Sequence, residues 1–305
     1  MSIRFLFLLF FTNVAIASPW FTGPLLAPAG RTIPPGHFNF EPYGFYTEYA
    51  KPPSFRNIET TPILSAGITN FLDVQALMPF DYSWIKSQQT HGGGIGDFNI
   101  GLGLQALRQK AGTWYPDLRI LLQEVIPTGR FENLNPLKQG TDQTGSGSYQ
   151  TVVSFNFQKL YTFENEHYIR SRLSLSNTIA RPVFVEGLNT YGGNPFTEGT
   201  VRPGKSYAVD LASEYTLTQH WVLVMEGLYV HNNSTTFQGN PGVLADGTIG
   251  SVGGPHSDVA SLAPAVEYNF SSNLGIIGGV WFTVTGPRAE KFIATTIAVN
   301  YYFPK

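Results

Sequence analysis

The C-terminal stretch of the chain constrains the fold most, because one of its faces suits lipid and the other suits a polar interior. Between Phe292 and Phe303, alternate side chains such as Ile293, Ile297 and Tyr301 are apolar, and those between them are small or polar. A period of two indicates a β-strand. Such a strand at the end of the chain suits a transmembrane barrel that closes on its first strand. We therefore predict an all-β fold, an antiparallel up-and-down transmembrane β-barrel.

Composition excludes several other classes of protein. Only 13% of the residues are charged and the mean hydropathy is −0.05, yet no run approaches the ~20 apolar residues that a spanning helix needs. The net charge of −2 gives no electrostatic reason to expect a nucleic-acid partner. The absence of cysteine excludes disulfides, cysteine-ligated metal sites and cysteine catalysis.

The N-terminus carries two segments that precede the barrel. Arg4, the apolar run up to Ile16 and the A-x-A site that ends at Ala17 predict a signal peptide over residues 1–17. Residues 18–35 contain too much proline and glycine for regular structure. We interpret them as a periplasmic tail, with a plug folded back into the barrel as the alternative. The barrel domain then covers residues 36–305.

Strand-like segments and turn residues alternate through the barrel domain. About twelve strands are predicted, at 36–50, 58–67, 71–83, 95–108, 115–126, 148–161, 166–179, 205–216, 221–231, 258–270, 274–285 and 290–303. The connections at 67–70, 109–114, 162–165, 217–220 and 271–273 are short, whereas those at 81–94, 127–147, 180–204 and 232–257 are long. Short turns at one end and long loops at the other are typical of bacterial outer-membrane barrels whose two termini lie in the periplasm.

Alternation within the strands assigns a set of polar side chains to the lumen. An arginine at the midplane of the lipid face costs roughly 2 to 4 kcal/mol, so the charged faces point inward. The predicted lumen-lining residues are Asp97, Asn99, Asp117, Arg119, Asn156, Gln158, Arg170, Arg172, Asp210, Glu214, Glu226 and Glu267. Two interpretations stay open: a ladder of salt bridges that braces the wall, and a constriction whose charges orient a solute.

Three short motifs resemble those of a known family. They are GIGDF at 94–98, IPTG at 126–129 and GSGSY at 145–149. In this order they are similar to strand starts and turns of the outer-membrane transporter-like family named for a "MetA-pathway of phenol degradation". The resemblance implies an outer-membrane barrel that passes small, hydrophobic or aromatic molecules.

Motifs for enzymatic chemistry are missing from the sequence. It contains no G-x-S-x-G, no H-E-x-x-H and no phosphate-binding loop, and its six histidines lack ligand spacing. We therefore predict no catalytic residue, no cofactor and no metal. The predicted function is a channel or facilitated transporter for small molecules. The alternatives are a closed structural or adhesive barrel that acts through its loops and, third, an enzyme at the membrane. The expected partners are outer-membrane lipid, the barrel-assembly machinery and a small solute.

The alternation of connection lengths predicts a topology that epitope tags can check. Tags in the connections at 81–94, 127–147, 180–204 and 232–257 should bind antibody on intact cells, whereas a tag at 217–220 should bind only after the outer membrane is opened. Reversed accessibility would contradict the predicted orientation.

Overall fold

The strands and their bounds follow the alternating pattern of the sequence. A computed structural model describes residues 20–50, 54–110, 112–163 and 167–305, so the predicted signal peptide at 1–17 lies outside the described residues. The strands in these ranges are β1 (Phe38–Tyr49), β2 (Phe55–Thr69), β3 (Leu72–Leu77), β4 (Phe80–Ile85), β5 (Thr90–Ile95), β6 (Phe98–Leu107), β7 (Asp117–Ile126), β8 (Gln150–Thr162), β9 (Tyr168–Ala180), β10 (Val183–Glu186), β11 (Glu198–Arg202), β12 (Ser206–Thr216), β13 (Trp221–Asn232), β14 (Thr236–Asn240), β15 (Ser257–Leu262), β16 (Ala265–Asn269), β17 (Leu274–Thr285) and β18 (Phe292–Phe303). Within the described ranges, no helix has the length and hydropathy to span a bilayer.

Fifteen of these strands form one closed antiparallel barrel. The first strand, β1, pairs with β2 on one side and with β18 on the other, where Phe38 faces Phe303 and Tyr49 faces Phe292. Three barrel strands are interrupted, between β3 and β4, β5 and β6, and β15 and β16. Pro79 and Pro264 lie at two of the interruptions, where proline lacks the N–H that a ladder needs. The prediction of a twelve-stranded up-and-down transmembrane barrel is confirmed.

The two faces of each strand follow the predicted parity. On β18, Ile297 is 52% exposed, whereas the neighbouring Thr296 and Ala298 are buried. On β6, Leu102 and Leu104 likewise point outward. Closure pairs the backbone of the barrel strands on both sides, except for β5, which pairs only with β4. A lipid-exposed sheet requires such pairing because unpaired peptide groups cost several kcal/mol in hydrocarbon. The outer surface is therefore apolar and the lumen is lined by small and polar side chains.

The barrel has a short-turn end and a long-loop end. Both the start of β1 and the end of β18 lie at the short-turn end, together with the connections at 70–71, 108–116, 163–167, 217–220 and 270–273. Aromatic side chains are exposed around this end, as in the interfacial girdles of membrane barrels. They include Tyr115, Tyr161, Trp221, Phe270, Tyr301 and Phe303. The opposite end carries the long loops at 127–149, 181–205 and 233–256.

The prediction of a long loop at 81–94 is wrong. This region forms the β4–β5 hairpin, which turns through a 3-10 helix at Lys86–Gln88. Its glycines allow close packing, since a Cβ on Gly92 would lie 2.5 Å from the carbonyl oxygen of Thr141. The glycine run is therefore a strand covered by a neighbouring loop.

The three long loops pack together into a cap. Two of them, at 181–205 and 233–256, contribute β10, β11 and β14, which form a separate three-stranded sheet. Val185 and Val201 are fully buried within it. The cap is thus a folded structure with its own small core.

Closure of the barrel predicts how C-terminal truncations behave. Removing 301–305 takes away the β18 residues that pair with Phe38 and Phe40 of β1 and with Leu274 of β17. The stranded backbone groups each cost several kcal/mol in lipid, so this variant should not give the heat-modifiable band of a folded barrel. Removing only Pro304 and Lys305 leaves β18 intact and is the control. A heat-modifiable band from the longer truncation would contradict the closure argument.

Candidate functional site

Residues 20–35 lie inside the barrel and are called the plug here. Polar side chains of the barrel wall bind its backbone at many points along its length. A proline- and glycine-rich segment cannot pair its own peptide groups in a helix or sheet, so buried partners must come from elsewhere. The preferred interpretation of this segment as a periplasmic tail is therefore wrong for residues 20–35, and the alternative of a plug describes them.

Two buried glutamates hold the first part of the plug. The carboxylate of Glu267 on β16 accepts hydrogen bonds from the backbone N–H groups of Thr22, at 2.9 Å, and Gly23, at 3.1 Å. The carboxylate of Glu226 on β13 accepts from those of Leu26, at 3.0 Å, and Ala27. Neither glutamate is accessible to solvent. Each of these glutamates accepts hydrogen bonds from two successive N–H groups, so the two residues are the main polar anchors of the segment.

Side chains on β3, β6 and β7 hold the second part of the plug. Gln105 forms hydrogen bonds with backbone groups of Thr32 and Gly30. Asp73 accepts a hydrogen bond from the N–H of Ile33, and Asp117 forms an ion pair with Arg31. The Gln105 amide accepts from one plug N–H at 2.8 Å and donates to a plug carbonyl at 3.0 Å, which fixes the backbone in both directions. The ion pair of Arg31 and Asp117 has a distance of 2.9 Å. The plug is thus attached to opposite walls of the lumen.

One sector of the lumen is apolar and receives Leu25 of the plug. Only 2% of Leu25 is exposed. The buried side chains that form this cluster with it are Val222, Val224, Ala263, Ala265, Ile277 and Ala298. Burial of one leucine contributes about 1.5 to 3 kcal/mol, comparable with one or two of the hydrogen bonds. The plug is therefore held by apolar packing as well as by polar contacts.

The three predicted lumen arginines form ion pairs with carboxylates on nearby strands of the wall. Arg170 on β9 pairs with Glu214 on β12, and Arg172 lies 3.7 Å from the same carboxylate. Arg119 on β7 pairs with Asp73 on β3 at 2.7 Å. These contacts are those of the bracing interpretation.

Arg170 and Arg172 also contact the plug directly. Arg172 donates to the Ala27 carbonyl at 2.9 Å, and the guanidinium of Arg170 lies 4.3 Å from the ring centre of Phe21. The arginines thus link the wall to the plug as well as strand to strand.

The remaining predicted residues lie in three different surroundings. Gln158 accepts from the plug N–H of Gly30 at 3.3 Å, and Asn156 is buried between Ser154 and Ser174. Asp210 is buried beside Glu226, and its Oδ1 has no hydrogen-bond partner among the described residues. Asn99 donates to the carbonyl oxygen of Asp97.

Asp97 anchors a loop. It follows the interruption between β5 and β6, where its carboxylate accepts from the N–H of Gly129 at 2.9 Å and from both the N–H and the hydroxyl of Ser146. Asp97 therefore ties the loop at 127–149 to the barrel. Its contacts separate it from the charge cluster near the plug.

A cavity of about 1400 Å³ remains beside the plug. Its lining includes Glu59 and Thr61 on the half of β2 nearer the long-loop end, and Lys159 and Tyr161 near the short-turn end of β8. The plug lines the same cavity, so it narrows the lumen without filling it.

Sequence reasoning missed several residues of the site. Asp73 and Gln105 face inward by parity, and both bind the plug. The apolar pocket around Leu25 also went unnoticed, since small and β-branched residues on a strand carry no signal of what they pack against. Only the inward parity was available to indicate these positions.

The fold and the site together define the class of protein. A closed twelve-stranded barrel with an apolar exterior and a polar, plugged lumen is a transmembrane barrel of the outer-membrane type. Residues 26–297 match the family described as "Putative MetA-pathway of phenol degradation", and the chain belongs to that family. The resemblance predicted from the sequence motifs is thus confirmed. No curated protein sequence matches the chain at a significant level.

Solved structures support the fold. An outer membrane channel from Pseudomonas putida F1 is similar with a TM-score of 0.66 and 14% identity, over 91% of this chain and 100% of that one. Two weaker likenesses carry no argument about function. One is the β domain of the Bordetella autotransporter BrkA, with a TM-score of 0.47, 10% identity, and coverage of 88% and 100%. The other is a mutant of the monoaromatic hydrocarbon channel TodX, with a TM-score of 0.42, 10% identity, and coverage of 94% of this chain and 95% of that one.

The buried ion pair predicts a large effect of one substitution on stability. Arg170→Gln leaves the Glu214 carboxylate buried with only the more distant Arg172, so the free energy of unfolding should fall by about 3 to 5 kcal/mol. The control is Arg181→Gln, which removes a mostly exposed partner of Glu124 and should change the free energy of unfolding by less than about 1 kcal/mol. Urea titration of both variants refolded in lipid vesicles measures the difference. Equal stabilities would contradict the bracing role.

Proposed function

We propose that this protein is an outer-membrane channel or facilitated transporter for small molecules, and that displacement of the plug opens it. The observation that carries the proposal is the cavity of about 1400 Å³ that runs beside the plug through a polar lumen. A barrel with a purely structural role needs no such space. The plug then acts as a gate that narrows an existing passage.

The contacts of the plug suit a segment that can leave its position in the lumen. Most are hydrogen bonds between plug backbone and wall side chains, each worth about 0.5 to 3 kcal/mol net. Among the described residues, strand-like pairing of the plug with the barrel is limited to an isolated bridge between Pro35 and Gly67. When it leaves, water in the lumen can solvate the exposed polar groups, which lowers the cost of opening.

The class of solute follows from the family and from the apolar sector of the lumen. The family description refers to phenol degradation, which favours small apolar or aromatic molecules with a polar group. The pocket around Leu25 provides an apolar surface inside an otherwise polar channel. We propose that solutes of this kind pass from the long-loop end, outside the cell, to the short-turn end and both termini in the periplasm.

The cap supports a second candidate function. Its separate sheet and the fully buried Val185 and Val201 show a degree of order that loops around an open pore do not require. In this alternative the barrel stays closed and the cap binds a surface partner. The two candidates differ in whether the position of the plug controls conductance.

A disulfide between plug and wall tests the proposed gate. A Cβ on Gly275 would lie 3.3 Å from the Cβ of Thr22, close to the 3.5 to 4.5 Å range of disulfides, once the Asn269 amide rotates away. The chain contains no cysteine, so Thr22→Cys with Gly275→Cys introduces a unique pair. In planar bilayers the oxidised variant should show no openings, and reduction should restore them.

The single variant Thr22→Cys is the control, and its openings should not respond to the reductant. If the wild-type protein never conducts, and the double cysteine variant does not conduct in either the oxidised or the reduced form, the result would favour the closed barrel. Equal conductance before and after reduction in a protein that does conduct would show that the plug is not the gate.

A further inference from the structure

The seat of the plug is itself a candidate solute site. We propose that the part of the lumen filled by plug residues 22–27 is the solute-binding site of the channel, and that it takes a primary ammonium group attached to an apolar body. This inference rests on the proposed channel function. In it, the plug is a stand-in ligand that the solute replaces.

The polar contacts of the seat define half of the ligand. Glu226 and Glu267 each accept two hydrogen bonds from successive N–H groups of the plug. Both carboxylates are buried and would lose these donors when the plug leaves. Water can solvate these carboxylates when the plug leaves, and a ligand that displaces this water must supply N–H groups of its own, because a buried carboxylate without donors is strongly unfavourable. An ammonium group carries three such donors.

The balance of charge favours a cation over a neutral donor. Glu214 takes both nearby arginines, Arg170 and Arg172. Asp210, Glu226 and Glu267 have no cationic partner within 4.0 Å among the described residues. Asp210 also retains a buried oxygen without a hydrogen-bond partner.

The plug itself cannot supply the missing charge. Its only charged residue among 20–35 is Arg31, which pairs with Asp117 on another wall. The segment that occupies the seat therefore offers N–H groups without a positive charge. A cationic solute satisfies these carboxylates better than the plug does.

The apolar pocket defines the other half of the ligand. Leu25 lies between Leu26 and Pro24 in the plug and inserts its side chain into the cluster that includes Val222, Val224 and Ile277. The two anchoring glutamates bind the residues on either side of it. A ligand that reproduces these contacts has an aliphatic or aromatic body of about the size of a leucine side chain next to its ammonium group. Anionic solutes are disfavoured by the same carboxylates.

Displacement of the plug by small amines tests the proposal in the full-length protein. Ala29→Cys places one half-buried thiol on the plug, outside the seat, where a maleimide reports release. Hexylamine, 1-hexanol and hexanoate are the probes, since they share one chain and differ in charge. Hexylamine should speed labelling at about fivefold lower concentration than 1-hexanol, because charge-assisted hydrogen bonds are worth roughly 1 kcal/mol more. Hexanoate should have no effect.

Chain length and two wall variants locate the effect. Potency should rise about fourfold per methylene from ethylamine to butylamine, as expected for burial of each CH₂ group. Glu226→Gln with Glu267→Gln, in the Ala29→Cys background, should abolish the advantage of the amine over the alcohol. Gln105→Ala loosens the plug at a different, uncharged anchor. It should raise the basal labelling rate and keep the advantage.

Each outcome bears on the site separately from the channel. Equal effects of amine and alcohol, or an amine advantage that survives the double glutamine variant, would overturn the proposed site. Loss of the advantage of hexylamine over 1-hexanol in Gln105→Ala would also overturn the proposed site, because the labelling would then report general loosening of the plug. Labelling does not require conductance, so an amine effect in a barrel that never conducts would contradict the proposed function and leave the site intact.

Discussion

The pairing of buried backbone groups governs both the wall of this barrel and its contents. In the wall, strands satisfy one another, and the register from Phe38 opposite Phe303 to Tyr49 opposite Phe292 closes the ring. In the plug, proline and glycine prevent regular pairing, so inward side chains of the wall provide the partners. Glu226, Glu267 and Gln105 are therefore substitutes for a β-ladder. The requirement that buried backbone groups be hydrogen-bonded thus holds the barrel closed through its strands and holds the plug in place through a few side chains.

Charge inside the lumen is divided between two tasks. Arg119 and Arg170 pair with Asp73 and Glu214 between strands of the wall. Glu226 and Glu267 face the plug, which binds them through backbone N–H groups. This division explains why a lumen with several buried acidic groups is compatible with a folded barrel, and why the seat of the plug has capacity for a cation.

The sequence predicted those features that depend on local periodicity. The parity of Ile297 and Thr296, the inward direction of Arg170 and Arg172, and the number of barrel strands follow from alternation and from the cost of charge in lipid. The seat of the plug could not be predicted in this way, because its conformation is set by residues some two hundred positions away, such as Glu226 with Ala27. The glycines of β5 lie in the connection expected at 81–94 for a related reason, since only their pairing with β4 and the loop packed against them show that they form a strand.

The central claim is that lumen carboxylates hold the backbone of the plug, and amide hydrogen exchange measured by NMR tests it most directly. The account predicts strong protection for the N–H groups of Leu26 and Ala27 in the full-length protein, and selective loss of that protection in Glu226→Ala, which has no side-chain acceptor. The amide of Gly247, in an exposed turn of the cap that bonds only within its own turn, provides the reference. Exchange of the plug amides as fast as that reference in the unmodified protein would contradict the account.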